Sequence, residues 1–317
     1  MISVAVCTYN RSESLRDTLR SLSAQVMTAD DSLEVIVVDN NSTDRTAAVV
    51  REEAARMRWP LRYVVEPRQG IAFARNLGLQ TARGHYVAFI DDDAIADPRW
   101  IESLSRGIAD TGADLIGGRI DPCWLAPRPT WLTTELCGPI TAFDCGPQRH
   151  RCTTRCSHAF LTTNVALRRA AVGAYGLFDV SLGRRGTRWV GGEDFELFRR
   201  WLRQGAAIVY EPSALVQHKV SPERVTPAFY RRWFEDIGYT QAHQLEAKWH
   251  HRLSVMPAWR WKALALAGAR YALAQTLGAH GADRRLCAEL WWRFERSFLL
   301  ERLDHWRRRK NCRFSQA

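Results

Sequence analysis

Tyr86-Val87-Ala88-Phe89-Ile90-Asp91-Asp92-Asp93 is the stretch on which the fold of this 317-residue chain turns. An unbroken apolar run of this length, rich in β-formers, reads as a strand covered on both faces, the kind found inside a parallel sheet. Three carboxylates at its carboxyl end then stand where open α/β sheets bind ligands. Carboxylates this crowded repel one another unless a cation joins them, and hard oxygen donors suit Mg2+ or Mn2+ shared with substrate phosphates. Side chains two apart in an extended segment point the same way, which pairs Asp91 with Asp93 and turns Asp92 aside. A solvated acidic loop has the same composition. The buried strand ahead of the triplet is what favours a metal diphosphate site.

Upstream of the triplet, β-rich runs alternate with helical patterns: Ile2 to Cys7 then Ser14 to Ser23, Leu33 to Val38 then Thr43 to Arg58, Leu61 to Val65 then Ile71 to Thr81. That order predicts right-handed βαβ units and a parallel sheet, with ligand residues in the loops after the strands. Those loops are Thr8-Tyr9-Asn10-Arg11, then Asp39-Asn40-Asn41-Ser42-Thr43-Asp44, then the triplet. Asp39 is placed to accept hydrogen bonds from a base or ribose, whereas Ser42 or Thr43 reads as a helix cap. Downstream, Pro122 to Cys156 reads as irregular, Asn164 to Arg168 as a strand, and Phe195 to Gln204 as a helix. Glu193 and Asp194 fall in the first turn of that helix, where its dipole favours anions.

Hydrophobic residues at 46 % and charged residues at 25 % are ordinary globular values and exclude disordered, collagen-like and coiled-coil classes. The net charge of +11 is not evenly spread: residues 219 to 317 carry 19 Lys and Arg against 9 Asp and Glu, together with seven of the 13 tryptophans. Basic residues interleaved with Trp suit an anionic membrane surface. Nucleic acid would attract the same charge, but no recognised nucleic-acid motif accompanies it. The alternative for this region is a helical subdomain whose tryptophans form a core. The opening residues Met1 to Val6 lack a basic n-region, so a cytoplasmic protein is expected, peripheral at the inner face of the membrane. The longest apolar stretch, Ala263 to Ala279, is broken by Arg270 and Gln275 and falls short of the roughly 20 residues that span a bilayer. Eight cysteines in such a compartment are expected to be reduced; His150, Cys152, Cys156 and His158 raise zinc as an alternative, though their spacing matches no standard finger.

Five segments in order resemble the family 2 glycosyltransferases of the GT-A fold: Val6 to Arg11, Val37 to Asp44, Gly70 to Gly78, Phe89 to Asp93, and Gly192 to Leu197. The resemblance covers roughly residues 1 to 218. It implies a Rossmann-like, mostly parallel central sheet flanked by helices, with a helical C-terminal extension. Its catalytic domain would be residues 1–218, with a nucleotide-binding half to about 118 and an acceptor-facing half after it, followed by a basic, Trp-rich region at 219–317. It further implies that Thr8, Tyr9, Arg11, Asp39, Arg75, Asp91 and Asp92 bind a nucleotide sugar, most simply a UDP-sugar. Asp93 would ligate Mn2+ or Mg2+ with His218, Asp194 would be the catalytic base, and Glu193 would bind acceptor or hold the loop. One carboxylate assisting an in-line attack inverts the anomeric configuration. The implied reaction transfers a sugar to a saccharide or lipid-linked acceptor in polysaccharide or glycoconjugate assembly. Membrane-embedded polymerising relatives add spanning helices and a Gln-x-x-Arg-Trp motif; here Phe229-Tyr230-Arg231-Arg232-Trp233 has Phe where Gln is expected. Two rival readings are a paired-carboxylate glycoside hydrolase, which needs no nucleotide pocket, and a catalytically silent, membrane-associated binding protein retaining the fold.

Overall fold

In the computed structural model, the structure describes residues 1–27, 32–153, 160–183, 191–246, 255–276 and 281–314. The chain divides into two compact units, one of Met1–Leu125, Ile140–Gly186 and Gly192–Val220, the other of Ala126–Pro139, Thr187–Gly191 and Ser221–Ala317.

The first unit is built on one mixed sheet. Its opening strands β1 (Ile2–Thr8), β2 (Leu33–Asp39), β3 (Leu61–Val65) and β4 (Tyr86–Asp91) alternate with helices α1 (Ser12–Ser23), α2 (Thr46–Ala54) and α3 (Ile71–Thr81). Then come β5 (Ala94–Ala96), α4 (Trp100–Thr111), β6 (Leu115–Trp124), β7 (His150–Arg151), β8 (Val165–Arg168), α5 (Arg169–Tyr175), α6 (Glu193–Arg203) and β9 (Ile208–Val220). Strand order is β3-β2-β1-β4-β8-β6-β9-β5, with β7 on β9. Strands β1 to β4 pair in parallel, whereas β8 runs antiparallel to both β4 and β6. The direction of winding reverses between β1 and β4, and the crevice outside their carboxyl ends is the switch point where such sheets hold ligands.

Apolar side chains on the two sheet faces account for this stacking. Val4, Val6, Val35 and Val37 pack with Leu15, Leu19 and Leu22 of α1 on one face, and Ala5, Ile36 and Val38 with Ala72, Ala74 and Leu79 of α3 on the other. All seven residues of β2 are buried. Gly118 marks the tightest approach, since a Cβ there would meet the Ala214 carbonyl oxygen at 2.0 Å and Asn164 Nδ2 at 2.5 Å.

Two expectations from sequence need correction. Strand β6 continues through Pro122 to Trp124 instead of becoming irregular at the proline. Ile120 exchanges both its backbone hydrogen bonds with Phe143, on the side away from β9. Pro122, two residues on, directs its nitrogen to that same side, past this pairing, so no ladder bond is forfeited. Helix α2 starts at Thr46, not Thr43, because Asp44 Oδ1 takes the Thr46 N–H (3.0 Å) and hydroxyl (2.5 Å). Ser42 and Thr43 therefore do not cap it. Of the proposed zinc ligands, Cys156 and His158 lie outside the described residues; Cys152 is in the core, and the His150 ring packs against Tyr210.

The second unit is helical, made of α7 (Pro227–Glu246), α8 (Ala258–Gln275) and α9 (Ala282–Phe314). Gly238 lets α7 approach α9 so closely that a Cβ would stand 2.3 Å from the Phe294 carbonyl oxygen. A buried pair, Arg260 Nη1 to Glu295 Oε1 at 2.8 Å, ties α8 to α9, and the Arg260 guanidinium lies 4.1 Å from the Phe298 ring centre. The unit also takes in Ala126–Pro139, whose Trp131 ring packs edge-on against Tyr230 at 4.8 Å. Its described tryptophans divide: Trp259 and Trp261 are exposed, whereas Trp131 and the half-exposed Trp291 make edge-on ring contacts within the unit and Trp292 stacks on Tyr271. No helix among the described residues is long and apolar enough to cross a membrane.

Candidate active site

The loop after β1 and the loop after β2 are laced together. Asn10 accepts the Thr43 N–H at 2.7 Å through Oδ1 and donates its own N–H to Ser42 Oγ at 2.9 Å. Both loops use left-handed asparagines, Asn10 at φ 52° and Asn41 at φ 66°, a region that Asn tolerates better than other non-glycine residues. Asn40 extends the lacing by donating to the Glu66 and Arg68 carbonyls and accepting the Gly70 N–H at the start of α3.

On this floor, Thr8 is buried at the end of β1 and Tyr9 is exposed beside it. Asp39, buried at the end of β2, accepts the Ser42 N–H at 2.8 Å on one carboxylate oxygen and the Tyr63 hydroxyl at 2.5 Å on the other. Sequence reasoning did not single out Tyr63. Its signal was available in the register, since Tyr63 pairs with Val37 and therefore shares a sheet face with Asp39, two residues along.

The aspartate triplet behaves as two groups. Strand β4 ends at Asp91, and Asp92 and Asp93 form a turn that leads into β5, so the segment is not extended throughout. Asp91 and Asp93 nevertheless converge, and with His218 their ligand atoms all lie within 4.8 Å of one another. His218 is brought in by β9, where it pairs with Ala94, the residue after Asp93. Its Nε2 lies 3.2 Å from Asp93 Oδ1. Arg11 occupies the other flank, donating to Asp93 Oδ2 at 2.6 Å and Asp92 Oδ1 at 3.2 Å. Burial opposes the charge on Arg11, but the two aspartates outweigh it and hold the guanidinium firmly protonated. Burial pushes Asp92 up to about 6 even though Arg11 pulls it down. Asp91 accepts the Thr163 hydroxyl at 2.5 Å, a second partner that sequence reasoning missed.

The Glu193-Asp194 pair enters from the start of α6. Gly192, left-handed at φ 95°, turns the chain into the helix. Arg75 of α3 joins this pair to the triplet: its guanidinium hydrogen-bonds Glu193 Oε1 and lies 3.8 Å from Asp91 Oδ1. Arg75 and Glu193 are both buried, and Glu193 Oε2 has no hydrogen bond among the described residues. Gly183 lies against that carboxylate, while the Arg184-Arg185-Gly186 part of the loop falls outside the described residues. Asp194 keeps some solvent contact, yet protein crowds its carboxyl: burial first, then the adjacent Glu193 charge, push it up to about 7, with Arg75 acting in the opposite sense. Cys7, the next-to-last residue of β1, is pushed up to about 12 by burial and stays a thiol.

All eleven residues expected at the site thus fall at one end of one unit. The arrangement offers a cation position between two carboxylates and an imidazole, a carboxyl poised to take a proton near neutrality, and a buried arginine between them.

The family described as Glycosyl transferase family 2 matches residues 3–176. The succinoglycan biosynthesis protein ExoM of Rhizobium meliloti is 31 % identical over 271 residues, covering 85 % of this chain and 81 % of that one. The glucosyl-dolichyl phosphate glucuronosyltransferase of Haloferax volcanii is 30 % identical over 224 residues, 69 % of each chain. Among solved structures, the mannosyltransferase PcManGT from Pyrobaculum calidifontis, in complex with GDP-Man and Mn2+, superposes with a TM-score of 0.60 at 21 % identity over 95 % of this chain and 85 % of that one. S. aureus TarS 1-349 in complex with UDP-GlcNAc gives 0.53 at 17 % identity, over 94 % and 90 %. At these identities the likeness is one of fold, the GT-A architecture, and together with the matches in sequence it means that the chain belongs to glycosyl transferase family 2.

Proposed function

We propose that this glycosyltransferase is a metal-dependent, inverting hexosyltransferase that moves a sugar from a UDP-linked donor to a saccharide or lipid-linked acceptor during polysaccharide or glycoconjugate assembly. The observation that carries the proposal is the bridge made by Arg75, which couples the Asp91-Asp93-His218 cluster to the Glu193-Asp194 pair. Donor-binding and proton-accepting groups then belong to one site.

Two carboxylates and an imidazole converging within 4.8 Å form a donor set that fits Mn2+ or Mg2+. Asp93 and His218 would hold the ion, with Asp91 beside them. When bound, such an ion supplies positive charge where the leaving diphosphate becomes negative. The other tasks fall to side chains. Thr8, Tyr9 and Asp39 receive the nucleoside, and Tyr63 and Ser42 fix the Asp39 carboxylate in place. Arg11 and Arg75 bring two permanent positive charges to the phosphate end, and Asp91 and Asp92 face ribose and sugar. Asp194 takes the proton of the acceptor hydroxyl while the oxygen attacks the anomeric carbon from the face opposite the leaving group. The adjacent Glu193 holds the α6 loop through Arg75 and offers its second oxygen to the acceptor.

The nucleotide-binding half, to about residue 118, would hold the donor, and the half beyond it would face the acceptor. The basic helical unit, with Trp259 and Trp261 exposed beside the exposed Lys262, would rest on the inner face of an anionic membrane. UDP is favoured by the TarS complex, and the GDP-Man complex of PcManGT makes guanine the competing base. Calorimetric titration of UDP, GDP and dTDP, with and without Mn2+, into wild type and Asp93→Ala decides among these. Mn2+-dependent binding of UDP that is lost in the variant is expected. Folded wild type that binds none of the three would sink the proposal and favour a silent binding protein.

A further inference from the structure

We propose a second metal site, of the zinc class, within the helical unit, formed by His243 of α7 with Glu301 and His305 of α9. The three ligand atoms lie within 4.8 Å of one another. Glu301 and His305 are four residues apart and so share one face of α9, with His305 Nε2 at 2.8 Å from Glu301 Oε1. His243 arrives from the neighbouring helix and sets its Nδ1 at 3.5 Å from the same oxygen. That Nδ1 is buried and makes no hydrogen bond among the described residues, whereas Nε2 lies 3.3 Å from the Tyr239 hydroxyl. One ring nitrogen facing the ligand cluster and the other held by an outer partner is the arrangement of a metal-bound imidazole, in which the outer contact fixes the tautomer.

The donor set identifies the class of ion. Two imidazoles and one carboxylate suit zinc, with a fourth position for water, whereas Mg2+ and Ca2+ require mostly oxygen. Zinc bonds of about 2.0–2.1 Å place tetrahedral ligand atoms roughly 3.4 Å apart. The 3.5 Å separation already meets that spacing, and the 2.8 Å one has to open by about half an ångström. A role follows from position. Ion pairs Arg231–Glu289 and Glu235–Arg293 fasten α7 to α9 nearer their starts, and the cluster lies further along the same contact. Bound zinc would clamp the far end of the helix pair.

The test uses the full chain, freed of metal with a chelator and titrated with Co2+, whose visible d–d bands report tetrahedral geometry. The Asp93→Ala background removes the ion position at the sheet edge. A tetrahedral cobalt spectrum is expected in both wild type and Asp93→Ala, displaced by Zn2+, and accompanied by a rise in melting temperature. His243→Ala and His305→Ala should each abolish it. Tyr239→Phe, which leaves the cluster intact, should weaken binding by about 10–100-fold. Its normal fold keeps the test decisive if the histidine variants do not fold. Absence of the spectrum in wild type, or full retention of affinity in Tyr239→Phe together with retention in whichever histidine variant folds, would overturn the site.

Discussion

Replacing Arg75 with methionine removes the one cation among the described residues that pairs with both Glu193 and Asp91. The side chains of Arg75 and Glu193 are each only 8 % exposed, so the change strands a carboxylate in a poorly solvated place. Truncating one partner of such a pair costs about 3–5 kcal/mol, mostly the penalty of the uncompensated charge. Methionine fills much of the volume of the arginine stem, which keeps cavity formation out of the comparison. At about 2–4 °C per kcal/mol for a body of this size, the melting temperature should fall by roughly 6–20 °C. Removing the partner as well, in Arg75→Met/Glu193→Met, replaces a buried ion pair with apolar residues of similar volume, a change that is often neutral or stabilising. The double variant should therefore melt well above the single one. Scanning calorimetry of wild type, both single variants and the double closes the cycle. Activity provides an independent readout. Arg75 lowers the pKa of Asp194 and Glu193 raises it, the latter more strongly. The acid limb of kcat/KM should move up in pH in Arg75→Met and down in the double variant. A single variant that melts within about 2 °C of wild type, or a double no more stable than the single, would refute the argument.

Three further outcomes are expected. Asp194→Asn should lower kcat/KM by about 10²–10⁴-fold with nucleotide binding unchanged in calorimetry, and the acid limb near pH 7 should vanish. A carboxyl raised from its ordinary value to about 7 binds more protons folded than unfolded, so it subtracts stability progressively as pH rises across that interval. Asp194→Asn should accordingly melt higher than wild type, by more at about pH 8 than at about pH 5. Tyr63→Phe strips one donor from the buried Asp39 carboxylate and should cost about 1–3 kcal/mol in urea unfolding, with weaker UDP binding. Gly118→Ala drives a methyl group into the Ala214 carbonyl at 2.0 Å and should destabilise the sheet by at least about 1–3 kcal/mol, seen as lost soluble yield or a lowered melting point.

How far the sequence can be read depends on the range of the interaction. Strands β1 to β4 were legible because alternation and apolar runs are local signals, and α3 was placed at its observed bounds because Gly70 and the apolar spacing mark it. The end of β6 was not legible, since whether Pro122 breaks a strand depends on which neighbour its nitrogen faces, a property of the sheet. Thr163 and Tyr63 carry no motif, and only the register places them against Asp91 and Asp39. His218 was visible as a lone histidine after an apolar run, but its convergence with Asp93 is decided by the β5–β9 pairing across more than a hundred residues of chain. Recruitment of Ala126–Pro139 into the helical unit rests on contacts such as Trp131 with Tyr230, for which no periodicity prepares the reader.

The lacing of Asn10 to Ser42 and Thr43 has one more consequence. Two loops from successive strands are ordered while the chain folds, not when a ligand arrives, so the surface that would meet a nucleoside inherits the rigidity of the sheet. Entropy spent there is not charged again at binding. Damage to Asn10 should in turn be felt at Asp39, a residue it does not touch, because the two side chains report on the same loop.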